Sequence, residues 1–118
     1  MSTQQDSLNV LSDIAKLEDD WNGYGAKPIP STVIEFARKI ILTLDDQHQP
    51  RIYPTARQTI QFEYENDERS YLEFEIWGTR INVLEVPGRV YKAAIEYGMP
   101  IEMYKNISTI VSKFLRSV

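Results

Sequence analysis

Apolar residues recur along this chain first with a helical period, then with a strand period, then with a helical one again. Val10, Ile14, Leu17 and Trp21 are spaced 4, 3 and 4, which draws one stripe along a helix. Leu8 and Leu11 widen it. Asp6 or Ser7 can cap its start by accepting a bond from an early backbone N–H. Asn22-Gly23 sets its end near Asp20–Trp21. A second helix follows Pro28 and Pro30, with Ser31 as its predicted N-cap and Val33, Ala37, Ile40, Ile41 and Leu44 on one face. Asp45 and Asp46 at its C-terminus oppose the helix dipole, which predicts fraying there.

The period then falls to two. Ile60, Phe62 and Tyr64 alternate with polar residues, as do Leu72, Phe74 and Ile76, and then Ile81 and Val83. These are half-buried strands of an antiparallel meander. Aligning their apolar faces sets Phe62 opposite Phe74 and Tyr64 opposite Leu72. Gly78-Thr79 reads as a two-residue hairpin loop of type II′, pairing Ile76 with Ile81 and Phe74 with Val83. Residues 80–86 make the third strand, and Pro87-Gly88 ends it. Residues 89–97 fit a fourth strand better than a short helix, and Gly98-Met99-Pro100 reads as a turn. Ile107, Ile110, Val111, Phe114 and Leu115 mark an amphipathic C-terminal helix, with Lys113 and Arg116 in its last turn.

The expected fold is therefore α+β. Two N-terminal helices, a three- to four-stranded β-meander and a C-terminal helix form one domain over residues 1–118, with the helices on one sheet face. Residues 1–6 read as a flexible tail.

Composition narrows the chemistry. At 118 residues and 42% apolar content, the chain can bury a core without a staple. It has no cysteine, which removes disulfides, thiol catalysis and thiolate metal sites. A polar N-terminus argues against a secretory signal, and no apolar run is long enough to span a membrane; a cytoplasmic location is expected. The net charge is −4. Residues 1–50 hold 8 acids against 4 bases, and the rest hold 9 of each. Without a basic stripe, nucleic acid is a poor partner, and a basic protein suits the chain better. The single histidine, His48, reads as an ordinary exposed loop residue. No metal or cofactor is expected.

Trp21-Asn22-Gly23-Tyr24-Gly25-Ala26 is the most distinctive string. Read functionally, Gly23 and Gly25 let backbone approach a ligand, with Trp21, Tyr24 and Lys27 around it. A phosphate cradle is one version of that reading, but the preceding strand and the usual lysine–hydroxyl pair are missing. Read structurally, the string is a helix–helix connector whose glycines take positive φ. The string resembles a Trp-[Asp/Asn]-Gly-x-Gly-Ala motif in a loose group of small uncharacterised bacterial proteins. In that group a proline-containing turn, a helix and a β-meander follow, as residues 28–77 do here. The resemblance covers about residues 10–86. It implies a bacterial or mobile-element origin and names no activity.

In the register above, Glu63 faces Glu73 on the outer side of the sheet, with Glu75 opposite Gln61. Like charges set opposite each other cost stability. A wrong register, solvation helped by Arg57 or Arg69, or a cationic partner would each account for the pair; catalysis on an open face is the poorest fit. Tyr71, Trp77 and Leu84 share that face, and Trp77 can stack on Arg80. Either another element covers these residues or they serve protein recognition. An RNA platform needs basic surroundings.

Three hypotheses follow. The first is a non-catalytic interaction or regulatory module, antitoxin-like or immunity-like, that contacts a protein through Tyr71, Glu73, Glu75, Trp77 and Arg80. The second is a small-ligand or nucleotide binder, or an enzyme, sited around Trp21, Gly23, Tyr24, Gly25 and Lys27. The third is a structural subunit whose sheet edge forms a homodimer.

Overall fold

A computed structural model describes residues 2–116. Three α-helices and a five-stranded antiparallel sheet make up the fold. Helices α1 (Gln4–Ala15) and α2 (Ser31–Leu42) come first. Strands β1 (Arg51–Pro54), β2 (Ile60–Glu65), β3 (Tyr71–Ile76), β4 (Arg80–Val86) and β5 (Ile95–Pro100) follow, and α3 (Asn106–Arg116) closes the chain. The strands lie in sequence order, β1 to β5.

Helix α1 begins earlier than the pattern predicts. Thr3 caps it and exchanges bonds with Asp6 in a capping box, so Gln4–Asp6 are its first turn rather than a tail; Met1 lies outside the described residues. It stops at Ala15, with Lys16 as C-cap, well before Trp21. The buried line is Ser7, Leu11 and Ile14, and Val10 is 39% exposed. Helix α2 starts at Ser31, so Pro30, not Ser31, holds the cap position.

The acids after α2 have a use that α2 alone does not reveal. Asp46 Oδ1 accepts from Gln4 N at 2.8 Å, placing a carboxylate at the N-terminus of α1, where the dipole favours it. The Gln4 side chain in turn donates to the carbonyls of Ile41 and Leu44. The start of α1 and the end of α2 thus cap each other, in place of the predicted fraying.

Registers in the meander centre match the expected ones: Phe62 pairs with Phe74, Tyr64 with Leu72, Ile76 with Ile81 and Phe74 with Val83. Both three-residue hairpin loops close with a non-glycine residue at φ 64°, Gln58 after β1 and Arg69 after β2. Gly78 has no positive φ, so the Gly78-Thr79 loop is not type II′. A Cβ there would lie 3.4 Å from Thr32 Oγ1, so glycine lets the hairpin tip approach α2 closely.

Two strand assignments change. Arg51–Pro54 is an additional edge strand, paired with β2. Residues 91–93 form a 3-10 turn, and the last strand runs over 95–100, so Gly98-Met99-Pro100 is strand rather than turn. Residues of all three helices join the inner faces of β2 to β5 in one apolar core. Phe62, Phe74, Ile60, Ile76, Leu72 and Ile81 are fully buried there.

Candidate functional site

Strand alternation sends every second side chain away from the helices. Across β1 to β4, one outer row is Arg51, Glu63, Glu73 and Leu84, and the next is Tyr53, Gln61, Glu75 and Asn82. None of these residues belongs to the apolar core. Later chain crosses this face at one corner. There the turn at Pro87–Arg89 folds back, Gly88 N donates to Ser70 Oγ, and Val86 is 2% exposed.

The charges on this face are not all alike. Glu75 is nearly buried, and its Oε2 accepts from Thr59 Oγ1 at 2.6 Å and from Arg57 Nε at 2.8 Å. Glu65 binds Arg89, whose guanidinium also lies 4.7 Å from the centre of the Tyr71 ring. That arginine holds the Glu65 carboxyl below its ordinary pKa. Arg51 reaches Glu63 only at 4.0 Å.

Glu73 is different. Among the described residues it pairs with no lysine or arginine. Its Oε1 accepts from the Tyr71 hydroxyl at 2.7 Å, and Glu63 stands directly across the strand pair. Burial pushes the Glu73 carboxyl above its ordinary pKa; the Tyr71 bond opposes this, the charges of Glu63 and Glu75 add to it, and the charge of Arg57, bonded to Glu75, offsets part of it. Burial also pushes the Tyr71 phenol up, helped by the bond to Glu73.

Of the five predicted contact residues, Tyr71 and Glu73 therefore form one unit at the middle of the face. Glu75 is engaged through its Oε2 by Thr59 and Arg57, and so holds the β1–β2 loop onto the sheet. Trp77 and Arg80 lie at the end of the β3–β4 hairpin, with the guanidinium 4.4 Å from the ring centre. The Trp77 Nε1 is enclosed and has no acceptor among the described residues. Trp77 thus offers a partner its ring and not its N–H.

Sequence reasoning missed Thr59 and Arg89. Arg57 stands out only because it is followed by strand residues that bring Glu75 alongside. Arg69, its suggested alternate, serves the β2–β3 turn.

The Trp21–Lys27 loop is closed on itself. Asn22 Oδ1 accepts from Tyr24 N and Ala26 N, and Asp20 Oδ1 accepts from Gly25 N at 2.6 Å. Trp21 Nε1 donates to the Lys27 carbonyl, and Lys27 Nζ pairs with Asp19. Gly23 and Gly25 take φ of 77° and 84°, where a Cβ would be strained. The N–H groups that a phosphate would need are thus already bonded within the loop, those of Tyr24, Gly25 and Ala26 to side chains and that of Gly23 to the Asp20 carbonyl. Tyr24 projects from it, 93% exposed. His48 is half-buried rather than exposed, and its carbonyl accepts from the buried Tyr64 hydroxyl at 2.7 Å.

Among the described residues, no cluster of His, Asp and Glu could hold a metal ion, and no helix is long and apolar enough to cross a membrane. No family model matches the chain, and no curated protein or solved structure matches it either.

Proposed function

We propose that this protein is a non-catalytic interaction or regulatory module that binds a basic protein partner through its outer sheet face. One observation carries the reading: among the described residues, a carboxylate pair, Glu63 and Glu73, sits at the centre of the face opposite the helices, and Glu73 makes no ion pair of its own. Like charges side by side disfavour the free protein. A partner's lysine or arginine placed there would turn that cost into affinity, and would do so in partly desolvated surroundings.

The roles divide accordingly. Glu73 and Glu63 receive the cation, and Tyr71 fixes the Glu73 carboxylate and offers its ring edge. Leu84, in the same row, supplies apolar contact. Trp77 and Arg80 supply a rim. Glu75 keeps the surface in shape from below. Rigid aromatics beside charged groups are common anchors of protein interfaces.

The resemblance of the Trp21–Ala26 string to bacterial proteins supports a bacterial or mobile-element setting. An antitoxin-like or immunity-like role in the cytoplasm fits a small acidic chain that masks a basic surface; this step is analogy.

Affinity capture from native lysate tests the reading, with Glu73→Lys and Trp77→Ala run beside the wild type. The expected result is a stoichiometric basic partner that Glu73→Lys loses entirely and Trp77→Ala retains weakly. Equal capture by all three proteins would refute it.

A further inference from the structure

The two edges of the sheet are built differently. At one edge, β1 spans four residues, begins with Arg51, ends with Pro54 and follows Pro50. Short length, charge and proline are the usual ways of keeping an edge from pairing. At the other, β5 also carries a charge, Glu96, and ends with Pro100, but it is longer, at six residues, and among the described residues no strand pairs with its outward backbone groups.

Two hydrogen bonds show which groups these are. Trp77 N donates to Arg80 O, so Arg80 bonds toward β3, and Ile101 N donates to Thr79 O, so Thr79 bonds toward β5's end. In an antiparallel ladder this alternates along the strand. Ile81, Val83 and Glu85 then bond to Met99, Tyr97 and Ile95, their register partners. Glu96, Gly98 and Pro100 are left pointing outward. Glu96 and Gly98 each offer an N–H and a carbonyl, and Pro100 offers a carbonyl alone.

Apolar exposure gathers at the same edge. Val90, Tyr91, Ile95, Tyr97 and Met103 are all exposed. Ile95 and Tyr97 lie on the helix side of the sheet, where Tyr97 borders a depression of about 330 Å³ beside Ile110 and Phe114 of α3.

The geometry points to a second copy of this chain as the occupant of the β5 edge, paired antiparallel about a two-fold axis through Gly98. In that register two strands exchange four backbone bonds, and the Glu96 carbonyl, facing the nitrogen of Pro100, is the one outward group of each strand left to water. Gly98 N and O bond to their own counterparts, and Glu96 N meets the carbonyl of Pro100, the one outward group of Pro100 that can bond. Tyr97 then faces the copy's Met99, and Ile95 faces its Ile101, so the exposed side chains at this edge pack on apolar ones. Glu96 lies across from Pro100 and not from a second Glu96, so no like charges meet. The absence of a side chain on Gly98 lets the two backbones cross closely. The assembly would be one continuous ten-stranded sheet with both outer faces side by side. This inference rests on the edge and not on the outer-face reading.

Sedimentation velocity across a dilution series, with residue-resolved amide exchange at both ends of it, tests the pairing. A monomer–dimer equilibrium is expected, with the Glu96 and Gly98 amides slowing at high concentration. Ile95→Lys combined with Tyr97→Lys should weaken it by about tenfold or more and remove the concentration dependence of the melting temperature, while the melting temperature at the dilute, monomeric end stays that of the wild type, since both side chains are exposed in the monomer. Tyr53→Lys, at the other edge, should leave it unchanged. A monomer at every concentration overturns the inference. So does a dimer that survives the double substitution, or one that Tyr53→Lys disrupts.

Discussion

Phe62 and Phe74 face each other across β2 and β3, and one residue further along each strand so do Glu63 and Glu73. The first pair is fully buried against three helices. The second stands on the opposite side of the same sheet, half-buried and without a helix over it. Backbone, strands and register are shared, so the contrast comes only from which way each side chain points. The inner face holds the fold together. It thereby allows the outer face to keep an unfavourable charge pair that a protein of this size could not tolerate in its core. A repulsive pair retained on a well-ordered sheet has physical sense if something else neutralises it.

Substitutions on the two faces should differ sharply in cost. Phe74→Ala should cost about 3–5 kcal/mol in denaturant-derived stability, whereas Leu84→Ala on the outer row should cost about 1 kcal/mol or less. Equal losses would mean that both faces are core. Tyr64→Phe probes a buried polar anchor of the inner face. It leaves the His48 carbonyl without its 2.7 Å donor and should cost about 1–2 kcal/mol, read in the same unfolding experiment. Arg69→Gly should raise stability by about 1 kcal/mol, because a residue with a Cβ is strained at φ 64°. A loss instead would assign the Arg69 side chain a role in holding the outer face.

The smallest effect is the most specific. The Glu73 pKa is raised in the folded state, so the folded protein holds this proton more tightly than the unfolded one. The folded state is then penalised once the pH rises above the unfolded carboxylate value, and the penalty is complete above the folded one. Glu73→Gln should therefore stabilise the protein near neutral pH by a few tenths of a kcal/mol, since solvent screens the half-exposed pair. The gain should vanish in acid, where Glu73 is protonated in both states. Melting temperatures of the two proteins across an acid-to-neutral series check this.

Much of this contrast is readable from residues alone, because a period of two in an antiparallel meander leaves one register that buries Phe62, Phe74 and Val83 together. The rest depends on contacts distant in sequence. Arg51–Pro54 lies between prolines and is too short to show a period. Residues 89–97 alternate as a strand should, yet only pairing with β4 shows that the strand starts at Ile95. In α1 two overlapping stripes are present, and contact with α2 selects Ser7, Leu11 and Ile14 over Val10. The placement of arginines is the least legible part. Arg89 reaches Glu65 and Tyr71 from a turn some twenty residues away, and nothing in the local pattern marks it. That Glu73 makes no ion pair of its own among the described residues is visible only once the arginines are placed on Glu63, Glu65 and Glu75.

Carboxyl footprinting reads the occupancy of the outer face at Glu63 and Glu73 themselves. The tagged protein is labelled at its carboxylates once in purified form and once within native lysate, then recovered and mapped residue by residue. The outer-face account predicts that Glu63 and Glu73 lose reactivity in lysate while Glu35, on α2, keeps its own. Unchanged reactivity at Glu63 and Glu73 would contradict it.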